Sequence, residues 1–454
     1  MQRLLLDRLQ SWKTSPVRKP LILKGLRQVG KTWLLKEFGR TAYENVAYFN
    51  FEENPEYKEF FAHTKDVRRI LPNLAMASAQ TIEPSRTLLI FDEIQEAPDA
   101  LNALKYFHET ANEYHVACAG SLLGIALARP SSFPVGQVDF LQVRPLTFTE
   151  FLLASGKQNF VDYLVGIDAL EPIPDAFFQP LYEQLKMYYV TGGMPEAVRN
   201  WTEFHDVRLV EETLQNILDA YERDFAKHPD RTTFPKLNLV WNSLPAQLAK
   251  ENKRFLYNVV RKGARAREYE DALQWLVNAQ LICKVPRITK PGLPISAYDD
   301  LSAFKIYAAD VGLLRRMSHL SPTIFAEGSR MFREFKGALT ENYVLEALTN
   351  QFEVPPRYWS RLNPSYEVDF ILQRENDIFP IEVKAEDNVR GTSLRKYAET
   401  FPEQTKLRLR FSLANLHLDD DLLNIPLFMI DQADRLIELA LHLSAGETLE
   451  DCRG

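Results

Sequence analysis

One short run near the N-terminus constrains the fold more than any other feature of the sequence. From Gly25 to Thr32 the chain reads GLRQVGKT, which fills every fixed position of the pattern G-x-x-x-x-G-K-[ST]. The apolar residues 21–23 before it predict a strand, and the residues after Lys31 predict a helix that ends near Gly39. A strand, a glycine-rich loop and a helix in this order indicate a phosphate-binding loop, whereas a chance glycine-rich turn would lack these flanking elements.

The residue types of this loop suit a nucleoside triphosphate. Glycines let the backbone turn tightly and direct N–H groups at phosphate oxygens, and the start of the helix adds its positive dipole end. Lys31 would reach the β- and γ-phosphates, and the Thr32 hydroxyl would coordinate Mg²⁺. We therefore predict ATP and Mg²⁺ as cofactors of a P-loop.

A second motif lies about 60 residues downstream, where an apolar run, TLLIF at 87–91, ends in Asp92 and Glu93. Acidic residues at the carboxyl end of a buried parallel strand face the nucleotide across the sheet. Asp92 would hold Mg²⁺, directly or through water, and Glu93 would orient and polarise the attacking water. The two residues could instead cap a helix, but that reading does not explain their place downstream of a complete P-loop.

A third apolar strand at residues 115–119 ends close to Ser121, which would contact the γ-phosphate or the water, or else open the next helix. Phosphoryl transfer also uses a cation, often an arginine from a neighbouring subunit. Arg129 and Arg144 are candidates, and each could equally be a surface arginine. The predicted nucleotide-binding residues are Gly25, Leu26, Arg27, Gln28, Val29, Gly30, Lys31, Thr32, Trp33, Asp92 and Ser121.

Further motifs extend over almost the whole chain: FDEIQ at 91–95, AGS at 119–121, RPLTFTEF at 144–151, GGMPEAV at 192–198 and GALTEN at 337–342. With the P-loop they resemble a prokaryotic family of AAA+-type ATPases that carry a C-terminal domain formerly of unknown function. Leu26 replaces a proline common in the family, and Gln137 replaces a basic residue found in many members. The resemblance implies an AAA+-like core at residues 1–155, a helical lid at 156–235 and a homo-oligomer, for which a hexamer is one fitting size. Arg199 or Arg223 could reach the phosphates from the lid; a surface or ion-pair role is the alternative for each.

Residues 236–325 combine helical patterns with a short strand and a turn rich in proline, which favours a winged-helix domain. Such a domain places a helix in the major groove of DNA and its wing on the backbone. Basic residues precede the strand, and they would contact phosphates. Winged helices also serve as interdomain or oligomer contacts, so a solvated basic face is the alternative. The basic residues are Lys253, Arg254, Arg261, Lys262, Arg265 and Arg267.

The C-terminal region has a helix with Glu341, a strand with Asp369, a turn at 374–377 and a strand with Glu382 and Lys384. This order resembles the PD-(D/E)XK nuclease fold, including Holliday-junction-type resolvases, and predicts a restriction-endonuclease-like domain at residues 326–454. On a strand, residues two apart share a face, so Glu382 and Lys384 would point the same way.

The predicted roles follow from this order. Glu341, Asp369 and Glu382 would bind a second Mg²⁺ or Mn²⁺, and Lys384 would position or activate water. Two alternatives stay open: a nuclease-derived fold that has lost activity and only binds DNA or protein, and plain alternation on a surface strand.

The sequence as a whole predicts a multidomain α/β protein: a P-loop AAA+-like doubly wound sheet with a helical lid, a winged helix and a restriction-endonuclease-like domain. A net charge of −7 confines any DNA contact to a local basic patch. Three distant cysteines and the lack of an apolar run of about 18 residues predict a cytoplasmic protein outside the membrane. We expect ATP hydrolysis to serve DNA processing in repair, recombination or defence; the rival is a nucleotide-controlled switch or scaffold for protein partners.

Overall fold

The computed structural model describes residues 2–120, 136–226, 233–250, 253–327, 333–362, 365–385 and 392–444. The chain divides into two compact units. The first comprises residues 2–144 with 278–281, and the second comprises residues 145–277 with 282–454. Most of the predicted core, residues 1–155, lies in the first unit, and most of the other three predicted domains lies in the second. The individual domain boundaries stay predictions.

The first unit is built on five parallel strands in the spatial order β2-β3-β4-β1-β5. The residues of β3 and β4 are all buried, which explains why both strands are continuous apolar runs in the sequence. Phe51, Phe61 and Phe91 pack edge to face beneath the sheet. The strands are β1 (Leu21–Gly25), β2 (Asn45–Asn50), β3 (Thr87–Asp92), β4 (His115–Ala119) and β5 (Asp139–Val143).

The strand order of this sheet determines where its functional loops meet. Strand β4 lies between β1 and β3 and pairs in parallel with both. Since parallel strands end at the same edge, the P-loop after β1 and the acidic pair after β3 lie at one edge, as predicted. The α-helices of this unit are Leu5–Thr14, Lys31–Ala42, Glu59–Ala62, Val67–Ser78 and Pro98–Thr110.

The second unit contains a mixed sheet of eight strands in the order β12-β13-β11-β10-β9-β8-β6-β7. The two strands of the region predicted as a winged helix, β6 and β7, are antiparallel, and β6 also pairs with β8. Strands before and after the predicted boundary at residue 325 therefore belong to one sheet. The winged-helix fold itself stays a prediction. The strands are β6 (Ile282–Ile288), β7 (Asp299–Ala308), β8 (Arg357–Leu362), β9 (Ser365–Arg374), β10 (Asp377–Val383), β11 (Arg408–Ser412), β12 (His417–Asp419) and β13 (Leu422–Pro426).

Helices make up most of the second unit before β6, in agreement with the helical pattern of the sequence. No helix among the described residues is both long and apolar enough to span a bilayer. The helices are Phe148–Ala154, Gln158–Val165, Asp175–Thr191, Pro195–Phe204, Val207–Ala226, Phe234–Leu248, Tyr257–Val260, Ala266–Asn278, Val311–Met317, Ile324–Glu327, Arg333–Gln351, Thr392–Thr400 and Ala433–Ser444.

Candidate functional site

The backbone of the P-loop has the conformation that its glycines predict. Gly30 has a φ of 88°, in the left-handed region, and the helix begins at the next residue. Gln28 also has a positive φ, of 65°. At the other end of the loop, a side chain on Gly25 would overlap the carbonyl oxygen of Val143 on β5. The loop therefore requires glycine both for its turn and for its close packing on the sheet.

Lys31 is buried and directed into the loop. Its Nζ donates hydrogen bonds to the carbonyl oxygens of Gly25, at 2.9 Å, and Leu26, at 2.6 Å. Burial lowers the pKa of Lys31 to about 8, although the negative charges of Glu93 and Asp92 act in the opposite direction. The ammonium group thus occupies the mouth of the loop, close to where the phosphates of a nucleotide would lie.

Asp92 accepts hydrogen bonds from two hydroxyl groups on the same oxygen. Thr32 Oγ1 and Tyr48 Oη each lie 2.8 Å from Asp92 Oδ2. The other oxygen, Oδ1, accepts the backbone N–H of Glu93 at 3.1 Å. A hydroxyl and a carboxylate are hard oxygen ligands of the kind Mg²⁺ prefers, so Thr32 and Asp92 fit the ion predicted for them.

Glu93 follows Asp92 in a left-handed conformation, with φ of 49° and ψ of 45°. This conformation is uncommon for a residue other than glycine and is found at functional sites. Gln95 Nε2 donates to Glu93 Oε2 at 2.5 Å, so the carboxylate is oriented by its own loop. The arrangement can hold Glu93 in position toward a water molecule at the sheet edge.

Tyr48, Gln95 and Lys36 are neighbours of the site that the sequence did not single out. Lys36 Nζ lies 3.8 Å from the centre of the Tyr48 ring. Burial and the hydrogen bond to Asp92 raise the pKa of Tyr48, which keeps its hydroxyl a donor. One signal in the sequence could have identified Tyr48: the polar residues at the carboxyl end of β2. Ala47 and Phe49 of this strand are buried in the core, so Tyr48 between them lies on the opposite face.

The other predicted residues of the nucleotide site have varied surroundings. Trp33 is 41% exposed. The backbone carbonyl of Arg144 accepts a hydrogen bond of 2.7 Å from Arg3. Ser121 and Arg129 lie outside the described residues. Arg199 and Arg223 are exposed residues of the second unit, and their predicted reach to the phosphates stays a prediction.

The second unit holds the predicted carboxylates on adjacent strands. Phe370 on β9 is opposite Ile381 on β10, so one further step of this antiparallel register places Asp369 opposite Glu382. Asp369 Oδ2 accepts the backbone N–H of Val383 at 2.8 Å. Lys384 Nζ lies 3.0 Å from Glu382 Oε1, whereas Glu382 Oε2 is buried and has no hydrogen-bond partner.

Glu341 is near these carboxylates but is bound to other groups. Lys253 Nζ forms an ion pair with Glu341 Oε1, and the Tyr307 hydroxyl donates to Oε2 at 3.1 Å. Burial alone would raise the pKa of Glu341, but Lys253 and Lys305 lower it below its usual range. Burial and, to a smaller extent, the charge of Glu341 together raise the pKa of Asp369 to about 7.

The fit of a divalent cation at this second site is partial. Asp369 and Glu382 suit a divalent cation, because the buried Oε2 of Glu382 has no hydrogen-bond partner and a cation would satisfy it. Glu341 is held by Lys253 instead. Among the described residues, no group of three or more His, Cys, Asp or Glu side chains is arranged to hold a metal ion. The predicted set of three carboxylates is thus not assembled here, and the catalytic roles of all four residues stay predictions.

Comparisons with known families divide the chain as follows. Residues 17–152 match a family described as an AAA domain. Residues 182–323 and 336–428 match two domains of unknown function, DUF8612 and DUF4143. No curated protein matches the sequence. Together with the complete P-loop, the first match supports an AAA+-type ATPase that binds and hydrolyses ATP in its N-terminal unit.

Solved structures with similarity to the chain include three at low identity. A Walker-type ATPase of Pyrococcus abyssi is 14% identical, with 69% of this chain and 94% of that chain covered and a TM-score of 0.43. The ORC1 protein of Aeropyrum pernix, solved in complex with DNA, is 12% identical, with 69% and 91% covered and a TM-score of 0.29. A RuvB variant of Thermotoga maritima is 15% identical, with 62% and 87% covered and a TM-score of 0.29.

Proposed function

We propose that this chain is a Mg²⁺-dependent ATPase whose turnover controls DNA processing by its C-terminal region, in repair, recombination or defence against foreign DNA. The observation that carries the ATPase part is the 2.8 Å hydrogen bond between Thr32 and Asp92. It brings together a hydroxyl from the end of the P-loop and a carboxylate from another strand, which is the pair that Mg²⁺ needs beside a triphosphate.

The roles of the chain's own residues follow from their positions. Bound Mg²⁺ supplies charge neutralisation at the β- and γ-phosphates. Lys31 exchanges its bonds to the loop carbonyls for bonds to phosphate oxygens, which are better acceptors for an ammonium group. Glu93, oriented by Gln95, accepts a hydrogen bond from the attacking water and directs it at the γ-phosphorus.

ATP turnover by two variants tests these assignments. Lys31→Ala should abolish tight ATP binding, because the buried cation that meets the phosphates is gone. Glu93→Gln should retain binding and lose hydrolysis, since it removes the base and leaves the P-loop unchanged. Binding is followed with a fluorescent ATP analogue and hydrolysis by phosphate release. Wild-type hydrolysis by both variants would contradict the assignment.

Assembly is part of the proposal, because an AAA+-like site is often completed by a neighbour's arginine. Of the two arginines predicted for this role, Arg144 is the one among the described residues, and it lies in the nucleotide-binding unit. Light scattering of the full chain with a non-hydrolysable ATP analogue should report an oligomer, with a hexamer as one expected size. A monomer at micromolar concentration in every nucleotide state would exclude a site shared between subunits.

The DNA-processing part is supported by the pairing of Asp369 with Glu382 and by Lys384 beside them. Two carboxylates can hold Mg²⁺ or Mn²⁺, and a lysine next to them can position water or a phosphate. Linear, nicked and branched DNA should be cut in the presence of Mg²⁺ or Mn²⁺ and not in EDTA. Asp369→Ala should remove cleavage without changing ATP turnover, and equal cleavage by this variant and the wild type would indicate a contaminant.

A switch or scaffold without nuclease activity is the second candidate, and one observation favours it. Lys253 and Tyr307 already satisfy Glu341, so this carboxylate is neutralised inside the protein. DNA-stimulated ATP turnover would support the DNA-processing proposal. Nucleotide-dependent assembly that is indifferent to DNA, with no cleavage of any substrate, would support the switch.

A further inference from the structure

Three adjacent strands of the second unit place charged residues in one row across the sheet. Glu382 on β10 is in register with Arg410 on the parallel strand β11. On its other side, Glu382 is opposite Asp369 of β9 by continuation of the hairpin register. Residues in register on neighbouring strands project from the same face, so Arg410 lies beside Glu382. Arg410 is not among the site residues predicted from the sequence.

The guanidinium of Arg410 is partly buried and poorly satisfied. Its Nε is buried without a hydrogen-bond partner, and no ion pair joins Arg410 to any other described residue. Arg408, two residues earlier on the same strand and thus on the same face, is paired with Asp421 through two nitrogens. The two arginines therefore differ in their partners: Arg408 is paired with a carboxylate, whereas the guanidinium of Arg410 has hydrogen-bond donors without a partner.

The surroundings of Arg410 favour an anionic ligand. Glu382 attracts Arg410 through space, but one oxygen of Glu382, Oε1, is already paired with Lys384. Unpaired donors of a half-buried guanidinium are costly, and the planar fork of arginine matches the oxygens of a phosphate group. Lys384, about one-third exposed, provides a second cation on the same face.

We propose that Arg410 and Lys384 form a phosphate-binding subsite next to Glu382, and that this subsite contacts the backbone of the DNA processed at this site. The inference rests on the proposed DNA-processing function for the identity of the ligand. Arg410 makes a bidentate contact with one phosphate, and Lys384 contacts the same or the adjacent phosphate. The subsite positions the DNA backbone over the Asp369–Glu382 pair without reading its sequence.

Binding of a short fluorescein-labelled DNA duplex tests the subsite, with the full chain in EDTA so that no cleavage occurs. Arg410→Gln should weaken binding roughly tenfold, as expected for one charge-assisted contact. The slope of log Kd against log salt concentration should fall by about one, because one phosphate contact is lost. Arg408→Gln is the matched control, with the same charge removed from the same strand, and should leave both quantities close to those of the wild type.

The outcomes separate this inference from the function on which it rests. Unchanged affinity and slope in Arg410→Gln, with weakened binding after substitution of Arg261, Lys262 and Arg265, would overturn the subsite and retain DNA binding. No DNA binding by the wild type would overturn both. ATP turnover reports folding of each variant. If Arg410→Gln does not fold, Arg410→Lys must bind more weakly with an unchanged salt slope, because it keeps the charge and loses the fork.

Discussion

Thr32 and Tyr48 donate hydrogen bonds to the same oxygen of Asp92, and both distances are 2.8 Å. The two hydroxyl groups come from different elements, one from the start of the P-loop helix and one from β2. Asp92 is only 3% exposed, and these donors and the N–H of Glu93 satisfy its two oxygens. The position of the carboxylate is therefore fixed before any nucleotide arrives.

The first prediction concerns Tyr48→Phe. We expect the apparent affinity for Mg²⁺ in the ATPase reaction to fall by about tenfold, because residues that orient a metal ligand typically contribute on this scale. Binding of ATP in EDTA should be unchanged, since Tyr48 contacts Asp92 and not the P-loop. Hydrolysis rates measured over a range of Mg²⁺ concentrations provide the comparison. Tyr106→Phe, a partly exposed tyrosine of the same unit, is the control.

The second prediction concerns the paired glycines of the GGMPEAV motif, which the sequence linked only to a family resemblance. A side chain on Gly193 would overlap the backbone of Leu146, and Gly192 lies against the carboxylate of Asp310 with a φ of 63°. Gly193→Ala should therefore destabilise the second unit by roughly 2–4 kcal/mol, as overpacking against backbone does.

Gly337→Ala is the matched control for Gly193→Ala. Gly337 lies inside the Arg333–Gln351 helix, and an added Cβ would meet nothing within 4 Å. Because alanine favours a helix over glycine, this variant should be neutral or up to about 1 kcal/mol more stable. Thermal unfolding of the two variants measures the contrast, and similar melting temperatures would show that the close packing of Gly193 is unimportant.

The third prediction concerns pH. Burial and, to a smaller extent, the positive charges of Arg18 and Lys13 together lower the pKa of His115 to about 4. Tyr43 Oη lies 2.7 Å from His115 Nδ1. The unfolded imidazole has a pKa near 6.5, so as pH falls below 6.5 the unfolded state binds a proton that the folded state does not. Stability of the first unit should therefore decrease from pH 6.5 to about pH 4.

Replacement of His115 tests the source of that decrease. His115→Phe should lower stability at pH 7, because Tyr43 loses its hydrogen bond, and should flatten the pH dependence between 6.5 and 4. Thermal unfolding at several pH values follows both effects. His63→Gln, at an exposed position of the same unit, should keep the wild-type slope. An unchanged slope in His115→Phe would assign the acid sensitivity to other groups.

The conformation of the P-loop could be predicted from the sequence because its chemistry is local. Gly30 needs a left-handed backbone and Lys31 must follow it, so spacing alone identifies the loop. The acidic pair was found because β3 is buried on both faces and reads as an apolar run. Tyr48 was missed because its role depends on which strand lies beside β3, and the order of strands in a sheet cannot be deduced from local hydrophobic periodicity.

In the second unit, the sequence predicted only some of the contacts around the candidate site. The hairpin of Asp369 and Glu382 was predicted from order along the chain, but the partner of Glu341 was not. Lys253 is 88 residues earlier, and it was assigned to a face in contact with phosphates. The structure corrects that assignment for this residue, since the Lys253 side chain is 12% exposed and is bound to Glu341. Ion pairs between distant segments depend on tertiary packing, which spacing does not reveal.

The last prediction concerns the rest of that basic stretch, where Arg261, Lys262 and Arg265 are exposed. They flank the start of the Ala266–Asn278 helix and form no ion pair with other described residues. If they contact DNA phosphates, the triple replacement by Ala should weaken duplex binding and lower its salt dependence, with little effect of DNA sequence.

The control for the triple replacement is Arg395→Ala with Lys396→Ala, which removes two charges from the solvent-facing side of the Thr392–Thr400 helix of the same unit. These two side chains are already paired with Glu399, which partly neutralises their charge, so they should attract DNA phosphates less strongly. Fluorescence anisotropy at several salt concentrations compares the variants, and thermal unfolding checks that both stay folded. Losses of affinity in proportion to the charge removed, three charges against two, would mean that binding follows net charge rather than this stretch.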